Sequence, residues 1–423
     1  MSPTIVGIML DSAKNAAHPT DWAIEPRQAA LESMIAQLLA NGTTNPRALS
    51  KSREAFGSQI TERLISVANL QAKAARKFSM GSDIEQPRIW WATDRSLQQS
   101  TPWQVAHLKA GWLGNGLVYD LCCGIGGDAM QLSRQGPVIA VDSDPLIAQM
   151  AKANLANANP EHSAEVLASD VTAISIPAEA SIHIDPDRRV EGRRTSNPDS
   201  YQPAWSNVIE MATRVESALI KLAPAAEMEP GEFDAHRCWI SLRGSVREQT
   251  LLLGQAMDRA NVQAQAKSAV TIVGNGTATS FVPPSIAQGR YSLADQPQQY
   301  MIDPDAAIRA AGLTQTFAEQ NQLSVLGKLS GFLTCPDAAS LRLVQSQAIV
   351  GSVIWSGSCD DRKLRRELRS RGMYPSVIKV RGTDHDPATL VKRYRKCGEK
   401  PITLWIGKSA KRAYAVMTVP SSV

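Results

Sequence analysis

Short apolar runs that alternate with helix-like stretches are the feature that most constrains the fold of this 423-residue chain. From residue 117 onwards the runs end at or beside a glycine turn or an acidic residue; they are LVYDLCC, PVIAVDSD, VLASDV, SIHIDPD and CWISLRG. Strands that alternate with helices build βαβ units, which place successive strands in a parallel sheet. We therefore predict an α/β fold, with a doubly wound, mostly parallel sheet in a domain over residues 115–290.

The regions on either side of this domain have different patterns. Residues 25–114 carry apolar side chains at helical spacing, which predicts a helical N-terminal domain. Within it, Thr101 is expected to cap the helix that follows it. Residues 300–423 combine helices with the strand candidates SVIKV, ITLWI and YAVMTV, which predicts an α+β domain behind a Pro- and Gln-rich linker at 283–299. Residues 1–24 are predicted to be a flexible tail.

Composition excludes several classes of protein. Hydrophobic residues make up 43% and charged residues 20% of the chain, which is ordinary for a globular protein and excludes disorder, collagen and coiled coil. No apolar run approaches the ~18 residues of a membrane-spanning helix, and the opening residues lack the basic flank of an export signal. Six cysteines without a C-x-x-C pair and six histidines without metal-ligand spacing favour neither a disulfide scaffold nor a metal site. We expect a cytoplasmic protein with no metal and no membrane partner.

The glycine loop DLCCGIGGD (120–128) follows the first predicted strand and precedes a helix. Gly124 and Gly126 let the backbone approach a ligand closely, and N–H groups of the following helix point at that ligand. The spacing also matches the G-x-G-x-x-G/A pattern of dinucleotide sites. However, Asp120 and Asp128 would repel a diphosphate here, whereas they would attract a cationic sulfonium ligand. The loop therefore favours a sulfonium cofactor over a nicotinamide dinucleotide.

Acidic residues follow the next predicted strands in order. Asp142 stands about twenty residues after the glycines, where a carboxylate can accept hydrogen bonds from ribose hydroxyls. Asp170 ends the third apolar run and is placed to bind an adenine amine, and Asp185 ends the fourth run. Any one of these acids could be a helix cap, but the ordered series indicates a nucleoside-bearing ligand at one edge of the sheet.

The ordered series resembles that of class I S-adenosylmethionine-dependent methyltransferases. More narrowly, the chain resembles a bacterial family of these enzymes that carries a C-terminal THUMP-like domain. The resemblance spans about residues 75–420 and rests on ARKF (75–78), TDRSLQQST (93–101), DLCCGIGGD, VDSDP (141–145), IDPDRR (184–189), YQPAW (201–205), DPDAAIRAAGL (303–313) and VIKVRGTDHDP (377–387). It implies a Rossmann-like methyltransferase sheet with S-adenosylmethionine as the cofactor. It places on the cofactor a set of loop and strand-end residues, which are Asp120, Cys122, Gly124, Gly126, Asp142 and Asp170.

The resemblance places the catalytic motif at IDPDRR (184–189). Amino-methyltransferases carry Asn/Asp/Ser-Pro-Pro and then an aromatic residue there, whereas this chain has Asp-Arg after its Asp-Pro. By this resemblance Asp185 and Pro186 orient an amine. Arg188 and Arg189 bind a substrate phosphate or form structural salt bridges. The departure from the family pattern leaves methylation of a base amine open.

Other side chains near the motif have simpler predictions. Trp205, with Tyr201 as the alternative, could stack on a target base in place of the missing aromatic residue. Cys122 and Cys123 end an apolar strand and are predicted to be small core residues, so ring-carbon methylation through a cysteine nucleophile is not favoured. His183 lies within an apolar strand and is predicted to be buried with its hydrogen bonds satisfied.

A concentrated positive charge marks the end of the chain. Residues 359–412 hold 16 Lys and Arg against six Asp and Glu, whereas the whole chain has a net charge of +5. A basic surface with aromatic residues nearby is typical of nucleic-acid binding, and THUMP domains belong to RNA-modifying enzymes. The alternative is a solvated amphipathic helix whose arginines face water. We predict an RNA partner that contacts Arg366, Lys379, Arg381 and Arg393.

The sequence therefore predicts an S-adenosylmethionine-dependent methyltransferase that modifies tRNA or rRNA. One alternative is a catalytically silent RNA-binding protein that keeps the fold, which the departure in IDPDRR motivates. Another is an NAD-dependent oxidoreductase, although Asp120, Asp170 and the basic region would then have no role. A methyltransferase of small molecules or proteins also stays open, because fold does not fix substrate.

Overall fold

The computed structural model describes residues 24, 27–80, 88–190, 193–228, 233–284, 291–327, 331–341, 344–409 and 412–421, without the side chains at positions 189, 190, 193 and 194. The tail predicted at 1–24 lies outside the described residues except for Ile24. Ile24 is buried, and its N–H donates to the side chain of Gln149 at 3.0 Å. The tail prediction therefore stays a prediction for residues 1–23, while its last residue packs on the protein.

Helices precede the first strand, as predicted; those described are α1 (Gln28–Asn41), α2 (Pro46–Phe56), α3 (Ser58–Phe78), α4 (Asp94–Gln99) and α5 (Trp103–Leu113). Leu31 and Leu38 of α1 meet Leu64 and Val67 of α3, because residues three or four apart share one face of a helix. The same cluster continues into the central domain, so these helices cover one face of its sheet.

The central region alternates strands and helices. Its elements are β1 (Val118–Leu121), α6 (Ala129–Leu132), β2 (Val138–Asp142), α7 (Pro145–Ala158), β3 (Ala164–Ala168), β4 (Ser181–Ile184), β5 (Arg189–Val190), β6 (Arg193–Arg194), α8 (Trp205–Thr213), β7 (Ser217–Leu222), β8 (His236–Leu242), β9 (Ser245–Gly254), α9 (Gln255–Arg259), β10 (Lys267–Ile272) and β11 (Ala278–Phe281). Nine of these strands form one sheet in the order β11-β10-β8-β9-β7-β4-β1-β2-β3.

The middle of this sheet is parallel and doubly wound. Strands β3, β2, β1, β4 and β7 run parallel, whereas β9 runs antiparallel to both of its neighbours. Successive residues of a strand face opposite sides of a sheet. Val118 accordingly joins the core under the N-terminal helices, and Tyr119 and Leu121 join the core on the other face with Trp205 and Val208 of α8. The predicted parallel sheet is confirmed.

The last region forms a second, mixed sheet. Its elements are β12 (Ser292–Ala294), β13 (Tyr300–Pro304), α10 (Ala306–Ala310), α11 (Thr314–Gln320), β14 (Ser324–Leu326), β15 (Leu333–Cys335), β16 (Ala348–Ser358), α12 (Asp361–Ser370), β17 (Met373–Val380), α13 (Pro387–Tyr394), β18 (Lys400–Lys408) and β19 (Ala413–Pro420). The sheet order is β12-β14-β15-β13-β16-β19-β18-β17. The three predicted strands lie within β17, β18 and β19.

Two local predictions differ from the structure. Thr101 does not cap α5, since the helix begins after Pro102 without a side-chain cap; the Thr101 hydroxyl instead accepts a hydrogen bond from Lys221. Part of the stretch 283–299, predicted to be a linker, is the strand β12, which pairs with β14. Among the described helices, none is both long and apolar enough to span a membrane.

Candidate active site

A cavity of about 930 Å³ opens at the carboxyl ends of β1, β2 and β4, where the strand order reverses around β1. Open α/β sheets bind ligands at this switch point, because the loops on its two sides diverge and leave a crevice. Many of the residues predicted for the cofactor or for catalysis line it together, namely Asp120, Cys122, Gly124, Asp142, Asp170, Asp185, Pro186 and Arg188.

One carboxylate holds the glycine loop against the neighbouring strand. The Gly124 N–H donates to Asp142 Oδ2 at 2.9 Å, and the Asp144 N–H donates to Asp142 Oδ1 at 3.0 Å. Burial raises the pKa of Asp142, although the two backbone hydrogen bonds oppose that rise. Gly126 lies outside the cavity lining; it has φ +85°, which favours glycine, and packs against Ala151 of α7.

Asp170 stands at the exposed edge of the cavity, just after β3. Its Oδ1 accepts hydrogen bonds from the Thr172 N–H and the Thr172 hydroxyl, both at 2.8 Å. These bonds hold the pKa of Asp170 below its usual value. The carboxylate therefore caps a short 3₁₀ turn at Val171–Ala173 through one oxygen, and its Oδ2 is left to meet a ligand.

Beneath the cavity, Asp120 is the end of a buried hydrogen-bonded chain. His183 Nδ1 lies 2.7 Å from Asp120 Oδ1, and His183 Nε2 lies 3.0 Å from Lys109 Nζ. A lysine ammonium can only donate, so Nε2 accepts and Nδ1 carries the proton that it donates to Asp120. His183 is buried with both nitrogens engaged, as predicted. Asp120 Oδ2 is buried and has no hydrogen-bond partner among the described residues.

Lys109 of α5 lies at the centre of this buried chain. Its side chain is 1% exposed and its Nζ lies 2.8 Å from Asp128 and 3.0 Å from Glu248. Burial lowers the pKa of Lys109, but the charges of Asp128 and Glu248 outweigh burial and raise it above its usual value. Burial alone would raise the pKa of Asp128, but the charge of Lys109 holds that pKa well below its usual value. The pair is therefore ionised at neutral pH.

A second buried lysine contacts Asp185 of the IDPDRR motif. Lys221 Nζ, near the end of β7, lies 2.5 Å from Asp185 Oδ2 and 3.1 Å from Thr101 Oγ1. The Asp185 side chain is 25% exposed and lines the cavity, and its Oδ1 makes no hydrogen bond within the described part of the chain. Neither lysine was predicted from the sequence. The signal was present in β7, SALIKL, where one lysine interrupts a strand that is otherwise buried on both faces.

The motif's predicted aromatic partners lie in the core. Tyr201 is buried, and its hydroxyl accepts a hydrogen bond from the Ala223 N–H at 3.2 Å. Trp205 packs edge-on against Tyr201 and at a tilt against Phe233, and neither Tyr201 nor Trp205 lines the cavity. A stacking role for Trp205 is therefore contradicted by its burial. The side chain of Arg189 lies outside the described residues.

Neither cysteine of the glycine loop has an activated thiol. Burial raises the pKa of Cys122, and nearby carboxylates add to the rise. Burial also raises the pKa of Cys123 well above its usual value. Both thiols are therefore neutral at physiological pH, as expected of core residues. Within the described ranges, no group of three or more His, Cys, Asp or Glu side chains is arranged to hold a metal ion.

Comparisons with known proteins point to one enzyme class. No protein-family model matches the chain. Two uncharacterised S-adenosylmethionine-dependent methyltransferases of Mycobacterium tuberculosis, from strains CDC 1551/Oshkosh and ATCC 25618/H37Rv, are each 29% identical over 330 residues, which covers 75% of this chain and 84% of theirs. The crystal structure of a proposed methyltransferase from Porphyromonas gingivalis W83 superposes with a TM-score of 0.67 at 16% identity, over 94% of this chain and 99% of the other. The fold is thus shared along nearly the whole chain.

The chain is an S-adenosylmethionine-dependent methyltransferase. The cavity of this methyltransferase suits the cofactor, because it is lined by carboxylates that can accept hydrogen bonds from cationic, hydroxyl and amine groups. The unpartnered Oδ2 of Asp120 can accept from an ammonium group, and Asp142 and Asp170 can accept from ribose hydroxyls and an adenine amine. A dinucleotide diphosphate would instead face uncompensated negative charge here.

The basic residues of the methyltransferase's last region fall into two groups. Lys379 pairs with the buried Asp303 at 2.8 Å and lies over the Trp405 ring, and Arg381 pairs with the same carboxylate. Lys379 and Arg381 are largely buried in this ion cluster. They are therefore not available to bind RNA, contrary to the prediction. By contrast, Arg366 is exposed, and Arg393 is exposed beside Asp361 at 3.6 Å.

Proposed function

We propose that this methyltransferase modifies RNA, and that Asp185 receives the group to be methylated. The observation that carries the proposal is the division of charge within one cavity. Asp120 lies near the carboxyl end of β1, Asp142 ends β2 and Asp170 follows β3, all on one side of the cavity. Arg188 follows β4 on the other side, and Arg247 lies just past the carboxyl end of the neighbouring β7. A cationic cofactor and a polyanionic substrate would each meet the opposite charge.

Arginines supply the positive charge of the substrate side, and one of them, Arg188, also forms a hydrogen bond with the Tyr201 side chain. Arg95 on α4 lines the same cavity as Arg188 and Arg247, and none of the three forms an ion pair with a carboxylate of the described residues. Guanidinium groups bind phosphate oxygens through two parallel hydrogen bonds. These arginines support a substrate whose phosphates flank the reacting group.

The proposed cofactor roles follow the sequence prediction. Asp120 Oδ2 receives the amino group of the cofactor, Asp142 its ribose, and Asp170 its adenine amine, while Gly124 and Cys122 supply the backbone of the loop. When bound, S-adenosylmethionine supplies a methyl carbon attached to a positively charged sulfur. Asp185 Oδ1 accepts a hydrogen bond from the N–H or O–H of the acceptor and can take its proton, while Pro186 fixes the loop.

A surface on the last region supports RNA as the polyanion. Helices α12 and α13 bury Leu364, Leu368, Leu390 and Tyr394 against their sheet. Their outer faces form what we term the basic helical surface, made of Arg362, Lys363, Arg366, Arg369, Lys392 and Arg393, all exposed. Such a surface attracts a phosphate backbone without reading its sequence. We further propose that residues 300–423 are a THUMP-like RNA-binding domain, and that the free cysteines of the chain reflect a cytoplasmic location.

The test is transfer of a tritiated methyl group from S-adenosylmethionine by the purified full chain. Total RNA, protein and small-molecule fractions from a strain that lacks the enzyme serve as separate substrates. Label should enter RNA with the wild-type protein and with Asp258→Ala, an exposed control on α9, but not with Asp185→Asn. Label confined to the protein or small-molecule fraction would contradict an RNA substrate. Binding of the cofactor without label in any fraction would indicate a silent enzyme.

A further inference from the structure

We propose that Lys221 is a positioning residue of the reaction: its ammonium group holds Oδ2 of Asp185 and so turns the free Oδ1 of that carboxylate into the cavity. The inference rests on the proposed function of Asp185. Lys221 acts through Asp185 and touches neither substrate nor cofactor in this account.

The contacts of Lys221 fix the direction of its ammonium group. Its side chain is 5% exposed, and its Nζ donates to Asp185 Oδ2 at 2.5 Å and to Thr101 Oγ1 at 3.1 Å. Glu248 Oε2 lies 3.9 Å away on β9. Two of the three donors of this ammonium group thus meet acceptors, and the nearby Glu248 adds a second negative charge. Lys221 therefore cannot turn away from Asp185 without leaving a buried charge unpaired.

Lys221 is the cation that accompanies Asp185. Arg188, three positions after Asp185 in the chain, forms no ion pair with it in the described part of the structure. Because Lys221 occupies Oδ2 from the buried side, only Oδ1 remains for an acceptor. A carboxylate held at one oxygen in this way presents the other in one direction, which is the preorganisation that proton acceptance needs.

The remaining charged and titratable groups around the pair do not replace Lys221. Asp185 and Lys221 are faced by groups on four elements, namely Lys109 on α5, Asp128 and Cys122 at the glycine loop, Tyr201 before α8 and Glu248 on β9. Lys109 is already bound to Asp128 and Glu248. Removal of Lys221 would thus leave Asp185 among acidic groups with no adjacent cation of its own.

The experiment compares Lys221→Met with the exposed control Lys73→Met in the full chain. Lys221→Met should lower kcat for RNA methylation about 100-fold, the scale of one proton-transfer group, with KM for RNA unchanged. The calorimetric Kd for S-adenosylmethionine should stay within about twofold. Lys73→Met should match the wild type throughout.

A double-mutant cycle separates positioning from general structural damage. In an Asp185→Asn background, Lys221→Met should cost less than about threefold in kcat, since residues that act as a unit are not additive. In the protein without cofactor, the Tm lost in Lys221→Met should be partly restored by adding Asp185→Asn, which removes the unpaired anion. Lys221→Arg keeps the charge and should retain part of the kcat that Lys221→Met loses, although its larger head group lowers kcat below the wild-type value.

Several results would overturn the inference. These are a Lys221→Met enzyme within about threefold of wild-type kcat, an equal loss in the Asp185→Asn background, or a Lys221→Arg enzyme that loses as much kcat as Lys221→Met. If the wild-type protein methylates no RNA, the proposed function fails instead. The Tm cycle then still decides whether Lys221 and Asp185 form one unit.

Discussion

Carboxylates at or near the ends of three neighbouring strands line one side of the cavity. The places of Asp120, Asp142 and Asp170 in the cavity could be predicted, because an acid at or near the end of a parallel strand lies at the carboxyl edge of the sheet. Lys109 and Lys221 could not, because which distant charges meet inside the protein depends on how α5 and β9 pack over the cavity. Thr101 illustrates the same limit, since local capping rules cannot anticipate a buried lysine 120 residues away in the chain.

Asp142→Ala should raise the Kd for S-adenosylmethionine about 10- to 100-fold, the range that a hydrogen bond to a charged group contributes. The loss has two sources, because Asp142 is proposed to bind the ribose and its side chain also accepts a hydrogen bond from the Gly124 N–H. Calorimetric titration measures the effect, with Asp258→Ala as the control. An unchanged Kd would contradict the placement of the cofactor at β2.

Lys109→Met should lower the free energy of unfolding by about 3–5 kcal/mol, because it leaves Asp128 and Glu248 buried without their partner. The contribution depends on pH in a defined direction. The depressed pKa of Asp128 gives stability that is present above about pH 3.9 and is lost at lower pH. The raised pKa of Lys109 gives stability that is present below about pH 10.4 and is lost at higher pH.

Denaturant unfolding at several pH values tests this window for Lys109. The difference between the wild type and Lys109→Met should be largest between these limits and shrink outside them. A difference that is constant from pH 3 to pH 11 would show that Lys109 acts by packing alone.

At the scale of elements, alternation along a strand decides which basic residues are free. Lys379 lies on β17, pairs with Asp303 and lies over the Trp405 ring. Arg381 lies just after the end of β17, over the Phe332 ring. The charge count of residues 359–412 merges these buried cations with those on the outer faces of α12 and α13. The pairing of β17 with β18 and the position of Asp303 on β13 distinguish the buried cations from the exposed ones. Neither feature can be read from a local stretch of sequence.

Arg366→Glu should weaken binding of bulk tRNA about 3- to 10-fold and reduce the dependence of binding on salt, since it removes one phosphate contact from the basic helical surface. Lys379→Ala should instead lower the Tm, because it removes a cation that pairs with the buried Asp303 carboxylate. It should leave tRNA affinity unchanged. Fluorescence anisotropy with labelled tRNA and thermal unfolding distinguish the two. Equal loss of affinity in both variants would contradict the division between the exposed cations of the basic helical surface and the cations buried beside Asp303.

At the scale of the whole molecule, the central and last regions share a core. Trp239 and Phe281 of the central sheet join Ile302, Ile308 and Phe317 in one buried cluster. The Ser241 hydroxyl also donates to Asp305 at 2.5 Å across the same boundary. The sequence could predict three regions from their changing periodicity. It could not predict this contact, because an apolar residue pattern does not say which faces meet.

A fragment that ends at residue 290 should therefore expose the apolar face around Trp239 and Phe281. We expect it to aggregate, or to unfold at a lower Tm than the full chain, because that face loses its cover. Size-exclusion chromatography and thermal unfolding are the measurements. A monodisperse fragment with the Tm of the full chain would contradict a shared core.

The most direct test of the central claim is the rate of methyl transfer to RNA by Asp185→Asn, measured beside its Kd for S-adenosylmethionine. The account predicts a loss of at least about 100-fold in the rate with a Kd within about twofold of the wild type, because Asp185 serves the acceptor and not the cofactor. Transfer at the wild-type rate by this variant, or label that enters only protein, would contradict it.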